Sequence, residues 1–173
     1  MASTKGRIRP VAESDAVVLA QIFAHAWLEA YSGILPEPYI ARMVQKRGEL
    51  WWRQAAKHPH VRGTSIPPLV LEVDGVVAGY ALVGPVRGNR QPSGEIYELY
   101  LDPAFQGQGL GELLFEGARH ALDLEGLPGL TVWLLADNAR AATFYWRRGG
   151  RPGARRTEHY GRRRLALIAY EFD

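Results

Sequence analysis

Apolar residues recur along the chain in two different periods, and the change from one to the other predicts a mixed α/β domain. Strand-like runs lie at residues 7–11, 69–73, 76–83, 95–101 and 130–136, and a closing antiparallel pair is predicted at 155–159 and 164–172. Apolar residues three and four positions apart predict a helix from residue 15, capped by Ser14, and further helices at 39–44 and 49–57. Asp74-Gly75 predicts a hairpin, and the glycine- and proline-rich residues 84–94 predict a loop.

The most informative stretch, residues 95–124, combines a strand, a glycine-rich turn and an amphipathic helix that begins at the glycines. The strand is apolar except at Glu95 and Glu98, which is typical of a central strand covered on both faces. The strand at 130–136 follows the helix, so a βαβ unit with two parallel strands is predicted. A short helix capped by Asp137 and Asn138 should come next and end at residues 149–150.

The glycine-rich turn has the composition of an anion-binding loop. A helix start leaves backbone N–H groups without intrahelical partners and carries a partial positive charge, so residues 106–111 can surround a pyrophosphate. Glycine lets the phosphates approach the amides, although close packing of the helix on the strand is the alternative explanation. The loop is not a P-loop, because Gly111 precedes Glu112 rather than Lys-Ser, and it lacks the Rossmann spacing.

A third known loop does match. Gln106-x-x-Gly109-x-Gly111 has every fixed position of the acetyl-CoA loop Q/R-x-x-G-x-G/A of the GNAT superfamily of N-acetyltransferases. The opening AWLEAYSGILPEPYI also resembles a segment of bacterial members, and ADNARAATFYWRRGG resembles the family's N-x-x-A-x-x-F-Y-x-x-x-G-F segment. Gly150 stands where that segment usually has an aromatic residue, which predicts different packing beneath the last helix.

The resemblance covers essentially the whole chain and implies a fold. It implies one domain over residues 1–173, with three α/β/α layers and a central, mostly antiparallel mixed sheet that splays apart between its two central parallel strands. In the family, the pantetheine arm of the cofactor fills that gap and pairs with exposed strand backbone. Acetyl-CoA is therefore the expected acyl donor, and no metal is expected.

The resemblance also assigns residues to the cofactor. The expected cofactor-binding set comprises Leu99, Tyr100, Leu101, Gln106, Gly107, Gln108, Gly109, Leu110, Gly111, Glu112, Asn138, Ala142 and Tyr145. Tyr145 matches the tyrosine that protonates the departing thiolate of coenzyme A, and a core aromatic residue is the alternative. Asn138 matches a position that contacts the cofactor arm, and a helix cap alone is the alternative.

Amine chemistry requires a base. An alkylamine is mostly protonated at neutral pH, and exposing its lone pair costs roughly 4 to 5 kcal/mol unless the site helps. Glu98 is the candidate base, with Tyr100 ordering a water, and period-two alternation puts both on one face of the strand. A salt-bridged carboxylate is the alternative for Glu98. A backbone N–H near residues 99–101 can stabilise the oxyanion.

Trp27 and Tyr31 are neighbours on one helical face and, with Tyr39, are candidates for the wall of the acceptor pocket, simple packing being the alternative. The expected reaction is direct transfer of an acetyl group from acetyl-CoA to a primary amine of a small molecule or peptide in a ternary complex. Two alternatives stay open: a longer acyl group, and a non-catalytic acyl-CoA sensor or interaction module. A homodimer is compatible with the family.

The amino-acid composition excludes some kinds of site and indicates a location. The 173 residues include no cysteine, which excludes disulfides, thiolate metal sites and a cysteine acyl-enzyme. No segment has the apolar length of a membrane span and the N-terminus lacks an apolar signal core, so a cytoplasmic location without membrane contact is expected.

The net charge is only +3, but nine arginines crowd the C-terminal third: Arg140, Arg147, Arg148, Arg151, Arg155, Arg156, Arg162, Arg163 and Arg164. Such a cluster is either a solvated face or a place that holds a polyanion. No nucleic-acid-binding motif accompanies it, so nucleic acid is not the expected partner.

Overall fold

The computed structural model describes residues 6–58, 64–88 and 93–173. Residues 59–63, and residues 89–92 of the loop predicted at 84–94, lie outside the described residues. The strands are β1 (Gly6–Pro10), β2 (Leu69–Val73), β3 (Val76–Pro85), β4 (Gly94–Leu101), β5 (Leu130–Leu135), β6 (Arg151–Tyr160) and β7 (Arg163–Phe172). The α-helices are α1 (Ala16–Tyr31), α2 (Glu37–Lys46), α3 (Glu49–Lys57), α4 (Leu110–Leu124) and α5 (Ala139–Arg147).

The seven strands form one sheet in the order β1-β2-β3-β4-β5-β7-β6. Neighbouring strands are antiparallel except β4 and β5, which are parallel as predicted. Within the described residues the parallel pairing covers only three positions, Gly94, Ile96 and the residue between them, against residues 130–132. Beyond those positions β4 continues along β3 and β5 continues along β7, so the two central strands splay apart as predicted.

Helices cover both faces of the sheet and give the predicted three layers. On one face, Leu114 and Phe115 of α4 and Tyr145 of α5 pack against Val132 and Tyr170 of the sheet. On the other face, a second cluster joins the helices to the sheet through Leu19, Phe23, Trp52, Tyr80 and Leu82. None of the helices in the described ranges is long and apolar enough to cross a membrane.

Helix α1 does not begin at the predicted cap. Ser14 lies inside a one-turn 3₁₀ helix, Glu13–Asp15, and α1 starts after it. The carboxylate of Asp15 caps this 3₁₀ turn rather than α1, because it accepts the backbone N–H of Ala12 at 2.7 Å and pairs with Arg9 at 2.8 Å. The prediction of Ser14 as a cap is therefore wrong, because the carboxylate of Asp15 satisfies the free N–H and also binds a cation.

Two strands are longer than predicted. Strand β3 extends through Gly84 and Pro85 into the predicted loop, and β6 begins at Arg151 rather than at residue 155. Gly150 packs directly against a ring beneath α5, and whether this packing differs from that of the family stays a prediction. A methyl group at Gly150 would lie 2.6 Å from the ring of Phe172, so this ring occupies the space there.

Candidate active site

A β-bulge in β4 lies beside the opening between the central strands. Leu82 of β3 pairs with Glu98, but the next residue, Val83, pairs with Ile96, so Tyr97 is skipped by the ladder. A bulge bends its strand and increases the local twist, which is a physical cause for β4 to leave β5 just after Ile96. The apolar run predicted the strand but carried no signal for the bulge.

After the bulge the predicted alternation holds. Leu99 and Leu101 pack against the α4 side of the core, whereas Tyr100 packs on the α1 side with Tyr80. Because residues 98–101 pair with β3 and not with β5, their β5-facing backbone lines a cleft between the two strands. This cleft can hold an extended ligand that pairs with strand backbone.

Three glycines shape the loop that ends at α4. Gly107 has φ 75° and Gly109, the N-cap residue of α4, has φ 77°, both in the left-handed region that favours glycine. Gly111 is required for a different reason, because a methyl group there would lie 3.1 Å from the ring of Phe144. The sequence analysis explained these glycines only by the access that they give phosphates to the amides. The left-handed backbone of Gly107 and Gly109 and the ring beside Gly111 are further reasons for glycine.

The loop is also tied to α5. The side-chain amide of Gln106 donates to the carbonyl of Leu101 at 3.4 Å, and its oxygen accepts a hydrogen bond from Arg140 at 2.8 Å. Gln108 donates to the carbonyl of Ala104 at 3.1 Å. Arg140 therefore brings a positive charge to the start of α4, near the N–H groups of Leu110 and its neighbours. Sequence reasoning counted Arg140 only among the crowded arginines.

Tyr145 lies in the aromatic core at the α5 side of the cleft. Its residue is 7% exposed, and its ring contacts those of Phe115, Phe144 and Tyr170 at centroid distances of 5.1 to 6.4 Å. Burial raises the pKa of its hydroxyl above the ordinary value, so this group keeps its proton at neutral pH. The aromatic-core alternative therefore describes the ring, and the role of the hydroxyl as a proton donor stays a prediction.

Three further members of the predicted cofactor set lie near the starts of α5 and α4. The side-chain oxygen of Asn138 accepts the N–H of Ala141 at 3.0 Å and caps α5, while Ala142 lies one turn into the helix. Glu112, in the first turn of α4, lies 3.8 Å from Arg148, whose guanidinium stacks 3.5 Å above the ring of Phe144. The first contact fixes the start of α5, and the second joins the first turn of α4 to the end of α5.

Glu98 is a salt-bridged carboxylate, which was the alternative weighed against a free base. Arg47 donates to both of its oxygens at 2.8 Å, and the hydroxyl of Tyr80 donates to one of them at 2.9 Å. The guanidinium of Arg47 is itself enclosed by the rings of Trp51 at 4.0 Å and Phe23 at 4.5 Å. Burial alone would lower the pKa of Arg47, but the neighbouring Glu98 raises it overall, so the guanidinium keeps its charge.

The predicted acceptor residues lie together on the α1 side of the sheet. The ring of Trp27 stacks on Tyr31 at 4.6 Å between centroids, and Tyr31 contacts Tyr160 of β6 at 5.6 Å. Tyr39 lies against the turn between β6 and β7, where a methyl group at Gly161 would be 3.2 Å from its ring. We call Trp27, Tyr31, Tyr39 and Tyr160 the acceptor face. Tyr160 was not predicted from the sequence, although it directly precedes the predicted turn at Gly161.

A cleft of about 460 Å³ adjoins this face and is lined by Phe23, Trp27, Met43, Lys46, Arg47 and Trp51. Its walls are mainly apolar and its floor is the guanidinium that holds Glu98. In the parts of the chain that the structure describes, no group of three or more histidine and carboxylate side chains is arranged to hold a metal ion.

Comparison with known proteins places this arrangement in a class. The fold matches a crystal structure of the PaiA N-acetyltransferase from Thermoplasma acidophilum with a TM-score of 0.72 at 18% identity, covering 95% of this chain and 98% of that one. The sequence pattern of the acetyltransferase (GNAT) family matches residues 22–149. The chain therefore belongs to the GNAT family of acetyltransferases.

Two relatives show how far the sequence similarity reaches. The uncharacterized N-acetyltransferase YuaI of Bacillus subtilis (strain 168) is 28% identical over 133 residues, which is 76% of this chain and 72% of the relative. A mycothiol acetyltransferase of Nocardia farcinica (strain IFM 10152) is 43% identical over 68 residues. That shorter match covers 39% of this chain but only 22% of the relative's length.

Proposed function

We propose that this chain transfers an acetyl group from acetyl-CoA directly to a primary amine in a ternary complex. The observation that carries the proposal is the cleft between β4 and β5, with the glycine loop and α4 on one side and the acceptor face on the other. The GNAT membership and a structural neighbour described in complex with coenzyme A support the same reading.

In this proposal the cofactor lies in the cleft with its pyrophosphate on the glycine loop. The N–H groups of residues 107–112 bind the phosphates, and Arg140 adds a positive charge beside Gln106. The pantetheine arm pairs with the backbone of Leu99, Tyr100 and Leu101 on the side that β5 leaves open. Asn138 and Ala142 flank the arm from α5.

The chemistry follows from these positions. The neutral amine attacks the thioester carbonyl, a C–N bond forms, and the carbonyl oxygen gains negative charge that a backbone N–H near residues 99–101 stabilises. The C–S bond then breaks, and the hydroxyl of Tyr145 donates its proton to the departing thiolate. The raised pKa keeps the hydroxyl of Tyr145 protonated until the thiolate departs, and it also makes this hydroxyl a weaker acid than an exposed tyrosine.

Glu98 accepts the proton of the amine through a water ordered near Tyr100. Arg47 and Tyr80 together donate three hydrogen bonds to the carboxylate, two of them to Oε2, so the water reaches it at Oε1. The same hydrogen bonds hold the carboxylate in one orientation.

A non-catalytic acyl-CoA sensor is the second candidate, and the Arg47–Glu98 pair is the observation that favours it. A sensor needs the cleft and the loop but no available base. The same cleft would also accept a longer acyl group.

Release of free thiol from acetyl-CoA in the presence of a panel of amines tests the proposal and separates these candidates. An acetyltransferase produces thiol in proportion to added amine. The acetylated product is heavier by about 42 mass units, because an acetyl group has replaced a hydrogen atom. Parallel reactions with propionyl-CoA report the acyl preference. Saturable binding of acetyl-CoA without amine-dependent thiol release would instead support the sensor.

A further inference from the structure

The hairpin of β6 and β7 ends in a group of arginines that have no acidic partner. Arg162, Arg163 and Arg164 lie at the turn and directly after it, are exposed, and within the described ranges form no ion pair. We call these three residues the basic tip. Nearby arginines such as Arg148, Arg151 and Arg156 are instead paired with a carboxylate or stacked on a ring. The basic tip is therefore a local excess of positive charge on a chain of net charge +3.

The basic tip adjoins the acceptor face. Tyr160, one residue before the turn, contacts Tyr31, and Gly161 in the turn lies against Tyr39. The basic tip therefore lies beside the Tyr31 and Tyr39 part of the acceptor face. The nearby carboxylate of Glu158 does not cancel this charge, because Arg156 at 2.6 Å and Tyr160 at 3.1 Å already engage it.

Charge at the rim of a site selects ligands at long range. The screening length at physiological salt is about 8 Å, so several guanidinium groups on one hairpin act together on a ligand at the rim. Such a field speeds the approach of anionic ligands and slows that of polycations. Polyamines and aminoglycosides are therefore poor acceptors for this site.

The state of Glu98 narrows the acceptor further. The carboxylate of Glu98 already accepts three hydrogen bonds from Arg47 and Tyr80, which leaves little room around it for a protonated amine, so the site is best matched to an amine that is already largely neutral. The α-amino group of a polypeptide has a pKa of about 7.7 to 8.0, against about 10.4 for a lysine side chain. An α-amino group therefore needs much less help from the site.

We propose that the acceptor is the N-terminus of a polypeptide whose next residues are acidic, with the α-amino group at the acceptor face and the acidic segment on the basic tip. This inference rests on the proposed function for its amine chemistry. A polypeptide is preferred to a nucleic acid because the exocyclic amino groups of bases are delocalised and poor nucleophiles.

Peptide binding to the full chain in the presence of saturating coenzyme A tests the inference. Three peptides, each labelled at its C-terminus, begin with an alanine that has a free α-amino group. The next four residues are all glutamate in the first peptide, all glutamine in the second and all lysine in the third. Fluorescence anisotropy gives the affinity of each peptide. We expect the glutamate peptide to bind at least tenfold more tightly than the other two, an advantage that shrinks at high salt.

A variant with Arg162→Ser, Arg163→Ser and Arg164→Ser should weaken binding of the glutamate peptide by roughly tenfold, since each exposed ion pair contributes modestly. The matched control, Arg7→Ser, Arg53→Ser and Arg119→Ser, removes the same charge from β1, α3 and α4 and should leave that affinity unchanged. Thermal unfolding of both variants reports whether they fold.

Equal binding of the glutamate and lysine peptides, or equal losses in the two triple variants, would overturn the inference. Tighter binding of a single-stranded oligonucleotide of equal charge would also overturn it in favour of a nucleic acid on the basic tip. Thiol release with the same peptides is measured separately. Preferential binding of the glutamate peptide without thiol release from any amine would refute the transferase, whereas indiscriminate turnover of all three peptides would refute the acceptor class alone.

Discussion

Tyr145 joins two properties that are usually separate: a ring fixed in the aromatic core and a hydroxyl assigned to proton transfer. Replacing it by phenylalanine keeps the ring contacts with Phe115 and Phe144 and removes only the hydroxyl. We expect Tyr145→Phe to lower kcat by roughly ten- to a hundredfold, because a thiolate is a good leaving group and needs modest help. The affinity for acetyl-CoA and the thermal stability should be unchanged.

Steady-state kinetics and unfolding curves of the two proteins check this expectation from pH 6 to pH 9. Since burial raises the pKa of Tyr145, the hydroxyl stays protonated across that range and the loss should be uniform with pH. An unchanged kcat would remove Tyr145 from the chemistry and leave it as a packing residue.

The ion pair between Glu98 and Arg47 makes the role of Glu98 directly testable by mutation. We expect Glu98→Gln to lower kcat/KM by about a hundredfold, the lower end for proton transfer by a side chain. The same change leaves Arg47 charged and buried without its partner, and losing one member of a buried pair costs about 3 to 5 kcal/mol. Urea unfolding must therefore accompany the kinetics.

Arg47→Met separates the two effects, because it frees the carboxylate while keeping an apolar side chain between Trp51 and Phe23. If Glu98 is the base, this variant keeps turnover and the glutamine variant loses it. Full turnover by folded Glu98→Gln would show that Glu98 only positions Arg47.

The sequence could predict that Glu98 is either a base or half of an ion pair, but it could not name the partner. Arg47 lies 51 positions away and joins Glu98 only when α1, α2 and α3 pack on the sheet. Asn138 and Ala141, by contrast, are three residues apart, and the cap between them could be predicted because local geometry decides it.

At the scale of elements, the glycine loop gives a sharp test because its glycines are required for different reasons. Gly109 has φ 77° with open space around it, so alanine there strains the backbone by about 1 to 2 kcal/mol without a collision. We expect Gly109→Ala to lower stability by that amount and to weaken acetyl-CoA binding, since the N-cap of α4 shifts.

Gly126 is the matched control at the other end of α4, with φ 70° and equally open surroundings. Gly126→Ala should cost similar stability and leave acetyl-CoA affinity intact, as measured by urea unfolding and calorimetric titration. Equal losses of affinity in both variants would mean that the loop acts only through the general stability of α4.

The start of α1 provides a prediction for pH. Burial by itself would raise the pKa of Asp15, but hydrogen bonds from Arg9 and from the N–H of Ala12 bring it below its ordinary value. A carboxylate with a lowered folded pKa stabilises the fold above its unfolded pKa of about 3.9, and this contribution disappears as the pH falls through the folded pKa.

We therefore expect Asp15→Asn to be less stable than the parent at pH 7 and to lose less stability on acidification from pH 5 towards pH 2. Urea unfolding at several pH values measures both. Asp123→Asn, on the exposed surface of α4, is the control and should follow the parent curve. Parallel curves for the parent and Asp15→Asn would contradict the assignment.

Helices and strands with a clear apolar period could be predicted to within a few residues, as for α3 and β2, because their own side chains decide the period. The bulge at Tyr97 could not, since it arises from how β3 and β4 align rather than from either pattern. Ser14 was wrong as a cap because Arg9, from the preceding strand, orients Asp15 instead.

For the whole molecule, the strand order and the position of the glycine loop are enough to predict where a ligand enters. A parallel pair inside an antiparallel sheet, followed by a helix N-terminus, puts strand backbone and helix amides at the same edge. The acceptor face depends on contacts between α1, α2 and the distant hairpin of β6 and β7. Those contacts are set by packing of the complete sheet. The local sequence pattern therefore predicted three rings of the acceptor face but not Tyr160.

Binding of acetyl-CoA in the cleft between β4 and β5 is tested most directly by isothermal titration of the purified chain with acetyl-CoA, with NADH and ATP as controls. Saturable binding of acetyl-CoA at one site per chain, without comparable binding of the two nucleotides, is the predicted result. The absence of heat and of a thermal shift with acetyl-CoA, together with saturable binding of NADH or ATP, would contradict the assignment of the glycine loop and with it the proposed function.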